Sequence, residues 1–121
     1  MGVRFAKHER IISKKNVDII YKLGKRIYSN SFVMIWGKHA DEPIVKLLIV
    51  VPKKKIKRAV DRNYTKRIIR ECYMQNKKLI YDLAPHPLAI ILIYNKSTLP
   101  KFDILNSELL TLFKSWEKSK L

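Results

Sequence analysis

The spacing of hydrophobic residues changes along the chain, and each spacing predicts a type of secondary structure. Near the N-terminus, Val17, Ile20 and Tyr21 stand at the i, i+3 and i+4 positions that share one side of a helix. Ser13 is a suitable N-cap for this helix, and Gly24 follows it where a C′ glycine often ends a helix. The pattern therefore predicts a first helix between Ser13 and Gly24.

Segments rich in β-branched, aliphatic and aromatic residues predict the strands of a small sheet. These segments are residues 26–28, 31–36, 44–51 and 88–94. Because residues 44–51 are nearly all apolar, we expect that strand to be buried on both faces. A polar turn at residues 37–43 and a Pro-His-Pro break at residues 85–87 each precede one of the strands.

From residue 56 to about residue 78 the hydrophobic period lengthens to about 3.6, which predicts a second helix. Apolar residues that recur every four positions are expected to form its buried side: Ile56, Val60, Tyr64, Ile68 and Cys72. Basic residues with the same period are expected on the other side: Arg58, Arg62, Lys66 and Arg70. A last helix is marked by Leu105, Leu109, Leu112, Phe113 and Trp116. The order α-β-β-β-α-β-α predicts a single α+β domain over residues 1–121, a two-layer sandwich of helices on a small mixed sheet.

The amino-acid composition of the chain indicates a class of binding partner. The chain of 121 residues carries 26 Lys and Arg against 10 Asp and Glu, a net charge of +16, and 47% of its residues are hydrophobic. A folded domain with so much positive charge favours a polyanionic partner, either a nucleic acid or, as the alternative, an anionic membrane surface. The apolar runs are too short to cross a bilayer, no secretory signal is visible, and the single Cys72 fits a reducing cytoplasm.

The positive charge is concentrated in residues 53–70, which hold nine basic residues and one acid, Asp61. Such a run is often only a solvated helix face. Here, however, Lys53, Lys54 and Lys55 extend the charge into the preceding loop, and regular i,i+4 acidic partners are absent. Four of the nine are arginines, which bind phosphate bidentately. The chain has neither zinc-ligand spacing nor a predicted helix-turn-helix, so a structured RNA is favoured over DNA.

Residues 52–71 read P-K-K-K-I-K-R-A-V-D-R-N-Y-T-K-R-I-I-R-E. This run resembles the signature of the bacterial ribonuclease P protein subunit, approximately S-K-K-x-x-x-x-A-V-x-R-N-R-x-K-R-x-x-R-E. The N-terminal half agrees with the same family at Phe5, Lys7, Glu9-Arg-Ile11, Tyr21, Gly24, Phe32 and Val33. The chain departs from the pattern at Pro52-Lys53, where the family has Ser, and at Tyr64, where it has a basic residue. Since Tyr64 falls on the predicted apolar side, we expect it to pack.

The resemblance implies an RNA-docking helix and a second site for single-stranded RNA. Residues matching the docking helix are Arg62, Asn63, Lys66, Arg67 and Arg70; Lys54 and Lys55 match the basic pair before it, and Lys53 and Arg58 complete the cluster. The second site is a cleft between the first helix and the sheet for the 5′ leader of precursor tRNA. Tyr21 and Phe32 match that site, and Trp36 is a further candidate. A base stacked on such an aromatic residue contributes about 1–3 kcal/mol.

No catalytic group of the protein itself is predicted. The acids are dispersed, His8, His39 and His86 fall in separate segments and are expected to be ordinary surface residues, and Cys72 is expected in the core. The resemblance implies the protein subunit of ribonuclease P, an endoribonuclease that removes precursor tRNA leaders. It also implies chemistry done by an RNA subunit that requires Mg²⁺, no cofactor bound by the protein alone, and a cytoplasmic protein that is monomeric outside the complex. The alternatives are a structural RNA-binding protein, for example ribosome-associated, and a stand-alone nuclease.

Overall fold

The computed structural model describes residues 14–37, 45–83 and 88–120. The elements are α1 (Lys14–Leu23), β1 (Lys25–Tyr28), β2 (Phe32–Gly37), β3 (Val45–Val50), α2 (Ala59–Leu83), β4 (Leu88–Tyr94) and α3 (Phe102–Lys120). This order confirms the predicted α+β arrangement, including the short strand near residues 26–28. The predicted cap Ser13, most of the predicted turn at 37–43, the break at 85–87 and the three histidines lie outside the described residues.

The four strands form one mixed sheet in the order β1-β2-β4-β3. β1 pairs with β2, and β2 with β4, in antiparallel fashion, whereas β3 runs parallel to β4. Parallel neighbours need a long crossover connection, and α2 lies in the one between β3 and β4. The helix that carries the basic residues is thus the connection that completes the sheet.

The expectation that residues 44–51 are buried on both faces is only partly right. Leu47 is buried, but Leu48, Ile49 and Val50 are half-buried. The reason is the strand order, since β3 is an edge strand of the described sheet while β4 has a neighbour on each side. A continuous apolar run does not distinguish these two positions.

One face of the sheet packs against α2 and α3 and forms the main core. Phe32, Met34 and Trp36 alternate along β2 toward this layer, where they join Ile69, Cys72 and Tyr73 of α2 and Leu105, Leu109, Leu112 and Phe113 of α3. Edge-to-face aromatic pairs occur within this core, with ring centroids 6.0 Å apart for Phe32–Tyr94 and 6.4 Å apart for Tyr73–Phe113. These layers form the predicted sandwich.

The opposite face of the sheet is covered in part by α1. Ile20 of α1 packs on Ile35, Ala89 and Ile91. Gly24 allows the close approach: its N–H donates to the Ile20 carbonyl at 2.7 Å, and a Cβ there would lie 2.8 Å from the Trp36 carbonyl oxygen. The turn that ends α1 therefore fixes this helix against β2.

The buried side of α2 differs from the one predicted. The helix begins at Ala59 and ends at Leu83, rather than spanning residues 56–78. Of the predicted apolar ladder, Cys72 is fully buried, but Val60 is 60% exposed and Tyr64 is half-buried. Residues that recur every four positions advance by about 40° per step around a helix, so a long ladder of this kind leaves the core. Among the described side chains of α2, the buried ones are Thr65, Ile69, Cys72, Tyr73 and Met74.

Cys72 is a core residue, as predicted. Burial, with a smaller contribution from the Glu71 carboxylate, raises the pKa of its thiol from 9.0 to about 12. Because the folded-state pKa is raised, the contribution of the protonated thiol to stability is present below pH 9 and is lost as the pH rises toward about 12.

We expect this thiol to be unreactive in the native protein, because the thiolate is the nucleophile. Ellman's reagent at pH 8 should modify Cys72 at the rate of unfolding, and at once in denaturing urea. Rapid, stoichiometric modification of the native protein would contradict the buried position.

Candidate nucleic-acid interface

The basic loop before α2 is held by its own backbone. The carbonyl of Pro52 accepts hydrogen bonds from the N–H groups of Lys55 at 3.0 Å and Ile56 at 3.1 Å. The Ile56 side chain is 4% exposed and anchors the loop in the core. The side chains of Lys53 and Lys54 are exposed at the tip, and Lys55 is half-buried. Three consecutive cations are therefore presented from an ordered turn.

Arg62 joins this loop to the helix. Its Nη1 donates to the carbonyl of Lys57 at 2.7 Å and to that of Ile56 at 3.1 Å. The side chain is half-buried, unlike those of Arg58 and Arg67, which are exposed. Arg62 is therefore a positioning residue for the loop, and its contact with RNA stays a prediction.

The exposed side of α2 carries the remaining predicted residues. Asn63, Arg67 and Arg70 are exposed and follow one another at i+4 and i+3 spacing, so they share one face, while Lys66 is half-buried. Arg58 lies before the helix and pairs loosely with Asp61 at 3.8 Å. We call the exposed and half-exposed set the basic surface: Lys53, Lys54, Lys55, Arg58, Asn63, Lys66, Arg67 and Arg70. Cations spaced along a loop and a helix in this way suit the phosphates of a folded RNA backbone.

Tyr64 does not join the core, contrary to expectation. It is half-buried, and the guanidinium carbon of Arg67 lies 5.6 Å from its ring centroid. Tyr64, which stands where the family pattern has a basic residue, thus lies beside the basic surface.

The three candidate leader contacts do not come together. Tyr21 is 49% exposed on α1, and Arg26 lies over its ring at 5.0 Å while donating to its carbonyl at 2.7 Å. Phe32 is 0% and Trp36 is 9% exposed, and both lie on the α2–α3 face of the sheet, away from α1. Their rings pack in the core, so this burial does not support the expectation that the two residues contact the leader, which stays a prediction. The neighbouring positions Val33 and Ile35 are the ones that face α1.

Comparison with known proteins identifies this arrangement. A family model described as Ribonuclease P matches residues 5–117. The chain belongs to the ribonuclease P protein family. It is 31% identical over 115 residues to the ribonuclease P protein component of Pseudoalteromonas atlantica, covering 94% of this chain and 88% of that protein.

Two solved structures share the fold of this ribonuclease P protein. The Thermotoga maritima RNase P protein superposes with a TM-score of 0.72 at 28% identity, covering 88% of this chain and 96% of that one. The Staphylococcus aureus RNase P protein gives a TM-score of 0.71 at 26% identity, covering 88% and 93%. The chain is thus a protein subunit of ribonuclease P and acts in tRNA 5′ maturation, with endoribonuclease activity carried out by the complex. The alternative of a purely structural RNA-binding protein is not favoured.

The described part of this ribonuclease P protein contains neither a metal-ligand cluster nor a membrane-spanning helix. Within residues 14–37, 45–83 and 88–120, no group of three or more His, Cys, Asp or Glu side chains is placed to hold a metal ion. Among the described helices, none is long and apolar enough to span a membrane.

The position of the connection between β4 and α3, residues 95–101, beside the basic surface was not predicted from the sequence. This connection lies against the start of α2, and its Leu99 is 51% exposed between the cations of the basic surface. Sequence offers only a weak signal for this placement, a leucine before Pro100 in the loop that follows an apolar strand.

Replacing Arg62 with alanine should lower the free energy of unfolding by about 1–2 kcal/mol, because two carbonyls of the loop lose their charged donor. Arg62→Lys should recover only part of this, since an ammonium lacks the planar fork. Urea denaturation followed by circular dichroism measures both. Lys57→Ala, at an exposed neighbour, is the control and should stay within about 0.5 kcal/mol; equal losses in both variants would exclude the positioning role.

Proposed function

We propose that this ribonuclease P protein docks on the catalytic RNA through the basic surface and holds the 5′ leader of precursor tRNA beside α1. The observation that carries the proposal is the joint presentation of the ordered lysine loop and the exposed α2 face, with Arg62 of α2 bonded to two carbonyls of the loop. Residues 53–70 contribute +8 of the net charge of +16, counting nine bases and one acid. Counterion release on phosphate binding would then make the affinity fall steeply with salt.

The leader site rests on a different part of the molecule. Beside α1 the sheet presents four half-buried aliphatic side chains: Val33, Leu48, Val50 and Ile93. Tyr21 lies on α1 and Arg26 lies on β1, opposite Ile35 of the same sheet face, and the aromatic ring and the guanidinium are in contact. An apolar strip bordered by such a pair suits unstacked bases and the phosphates between them. Tyr21 is thus the candidate leader contact that the burial pattern supports.

The remaining parts of the proposal concern the complex. The chain acts as one domain, residues 1–121, and binds no cofactor by itself, while Mg²⁺ is held by the RNA subunit, which carries out the cleavage. Its large positive charge opposes self-association, so we expect a monomer outside the complex, to be checked by size-exclusion chromatography. Because the proposed substrate is a primary tRNA transcript, we expect the protein to act in the cytoplasm.

Reconstitution tests the proposal. Adding the protein to cognate ribonuclease P RNA at low Mg²⁺ should raise cleavage of precursor tRNA, and Tyr21→Ala should weaken precursor binding by about tenfold while leaving affinity for the ribonuclease P RNA unchanged. Ile104→Ala, at an isoleucine that is 65% exposed on α3 and lies on the other side of the sheet, is the control. A folded protein that fails to stimulate cleavage would overturn the subunit docking. Equal precursor affinities of the Tyr21 and Ile104 variants would overturn the leader site alone.

A further inference from the structure

A surface groove lies where the start of α2 meets the β4–α3 connection. It has a volume of about 470 Å³ and is lined by Val60, Asp61, Asn63, Tyr64, Arg67 and Leu99. Ligand-binding clefts commonly have volumes of about 300–1,000 Å³. Arg67 and Tyr64 contribute a guanidinium and an aromatic ring that already contact each other, at 5.6 Å.

The groove places apolar side chains in the middle of a cationic region. Val60 is 60% exposed and Leu99 is 51% exposed. On its other side, Leu99 borders a second groove lined by Lys54, Lys55 and Arg58. Exposed aliphatic groups flanked by cations suit a ligand that is flat and apolar at its centre and anionic at its edge.

The connection that carries Leu99 is fixed in place. The Tyr94 hydroxyl donates to the Thr98 carbonyl at 2.7 Å, and the Asn95 N–H donates to the Ser31 carbonyl at 2.7 Å. Pro100, directly after Leu99, is buried. The groove wall is therefore preorganised, which lowers the entropic cost of binding.

The polar groups of the groove distinguish a nucleobase from a phosphate. Asp61 is half-buried and offers carboxylate oxygens, which repel phosphate but accept hydrogen bonds from the amino groups of bases. Asn63 supplies a donor and an acceptor. Unpaired bases in RNA are typically held in this way, by stacking on aromatic or arginine planes and by hydrogen bonds at their edges.

We propose that the groove binds one unstacked nucleobase of the catalytic RNA, one that carries an exocyclic amino group, between Leu99 and the Tyr64–Arg67 pair. The inference rests on the proposed docking of the basic surface on that RNA. It adds to the docking surface a site that binds a base rather than the sugar-phosphate backbone. Lys54, Lys55 and Arg58 then bind the adjoining phosphates.

Binding of the full-length protein to cognate ribonuclease P RNA, titrated over a range of salt concentrations, tests the site. Tyr64→Leu and Leu99→Ala should each lose about tenfold in affinity with an unchanged slope of log K against log salt, because they remove stacking and no charge. Tyr64→Phe should bind like the wild type, as should the control Tyr28→Leu. Circular dichroism verifies that each variant is folded.

The outcomes separate the two proposals. If the wild type itself fails to bind this RNA, both the docking and the groove are overturned. If the wild type binds but Tyr64→Leu and Leu99→Ala bind equally well, only the groove is overturned. A changed salt slope in these variants would likewise reject a base site in favour of diffuse charge.

The nucleotide itself can be mapped from position 98, next to the groove. Thr98 is exposed, and its hydrogen bond with Tyr94 uses the backbone carbonyl. Because Cys72 is buried, Thr98→Cys can be labelled selectively with an iron chelate that cleaves nearby RNA. Cleavage should concentrate at an unpaired adenine, guanine or cytosine. Cleavage centred on a continuous duplex, or on an unpaired uracil, would contradict the site.

Discussion

Replacing Lys54 and Arg70 together with glutamine should weaken binding to ribonuclease P RNA by about tenfold or more near physiological salt, and should reduce the slope of log K against log salt by about two. Both side chains are exposed, one at the tip of the loop and one on the outer face of α2. Each is expected to neutralise one phosphate, and each neutralised phosphate releases about one counterion.

The matched control removes the same charge elsewhere. Lys78→Gln with Lys114→Gln also replaces two exposed cations, on the distal part of α2 and on α3. A filter-binding or fluorescence titration should find this second double variant close to the wild type in affinity and slope. If both double variants lose affinity equally, the positive charge acts only as a diffuse field, and the basic surface has no specific role.

Replacing Glu108 with alanine should lower the free energy of unfolding by about 2–3 kcal/mol, because a single carboxylate on α3 organises the β1–β2 turn. Its oxygens accept hydrogen bonds from the Ser29 hydroxyl at 2.8 Å, the Ser31 hydroxyl at 2.7 Å and the Ser31 backbone N–H at 2.5 Å. Ser31 is 6% exposed, so water does not readily replace the lost acceptor.

Replacing the carboxylate of Glu108 with an amide tests whether both of its oxygens are needed as acceptors. Glu108→Gln keeps the shape but offers one acceptor oxygen in place of two, so it should lose a large part of the same free energy. Urea denaturation monitored by circular dichroism measures both variants. Glu71→Ala, at an exposed acid on α2, should stay within about 0.5 kcal/mol of the wild type. A Glu108→Ala variant as stable as Glu71→Ala would show that the turn forms without the carboxylate.

The order of helices and strands could be predicted because long apolar runs alternated with clear helical periods. The strand order could not, since residues 44–51 and 88–94 look equally buried in sequence while only β4 is central. Nor did alternation along β2 say which face the larger helical layer would cover. The resemblance to the family implied Phe32 as a leader contact, with Trp36 as a further candidate, but both side chains belong to the core.

The sequence predicts which residues form the candidate site better than it predicts how those residues are arranged in space. A cluster of nine bases in 18 residues is visible directly, and most of its members are exposed. The internal hydrogen bonds of Arg62 could not be read from sequence, because they depend on the conformation of the preceding turn. Leu99 becomes a neighbour of Val60 only through the tertiary fold, across a separation in sequence that no local pattern bridges.

The crossover position of α2 also couples the stability of this protein to its ligand. The helix that carries the basic surface connects the parallel strands β3 and β4, so the surface is assembled only when the sheet is complete. RNA that recognises this assembled surface and not the unfolded chain stabilises the fold by RT ln(1 + [RNA]/Kd), about 2.7 kcal/mol at a free RNA concentration of one hundred times Kd. Protein made in excess of its RNA therefore lacks this added free energy of stabilisation. It is then the fraction most exposed to proteolysis. The proposed docking would in this way link the abundance of the subunit to that of the RNA.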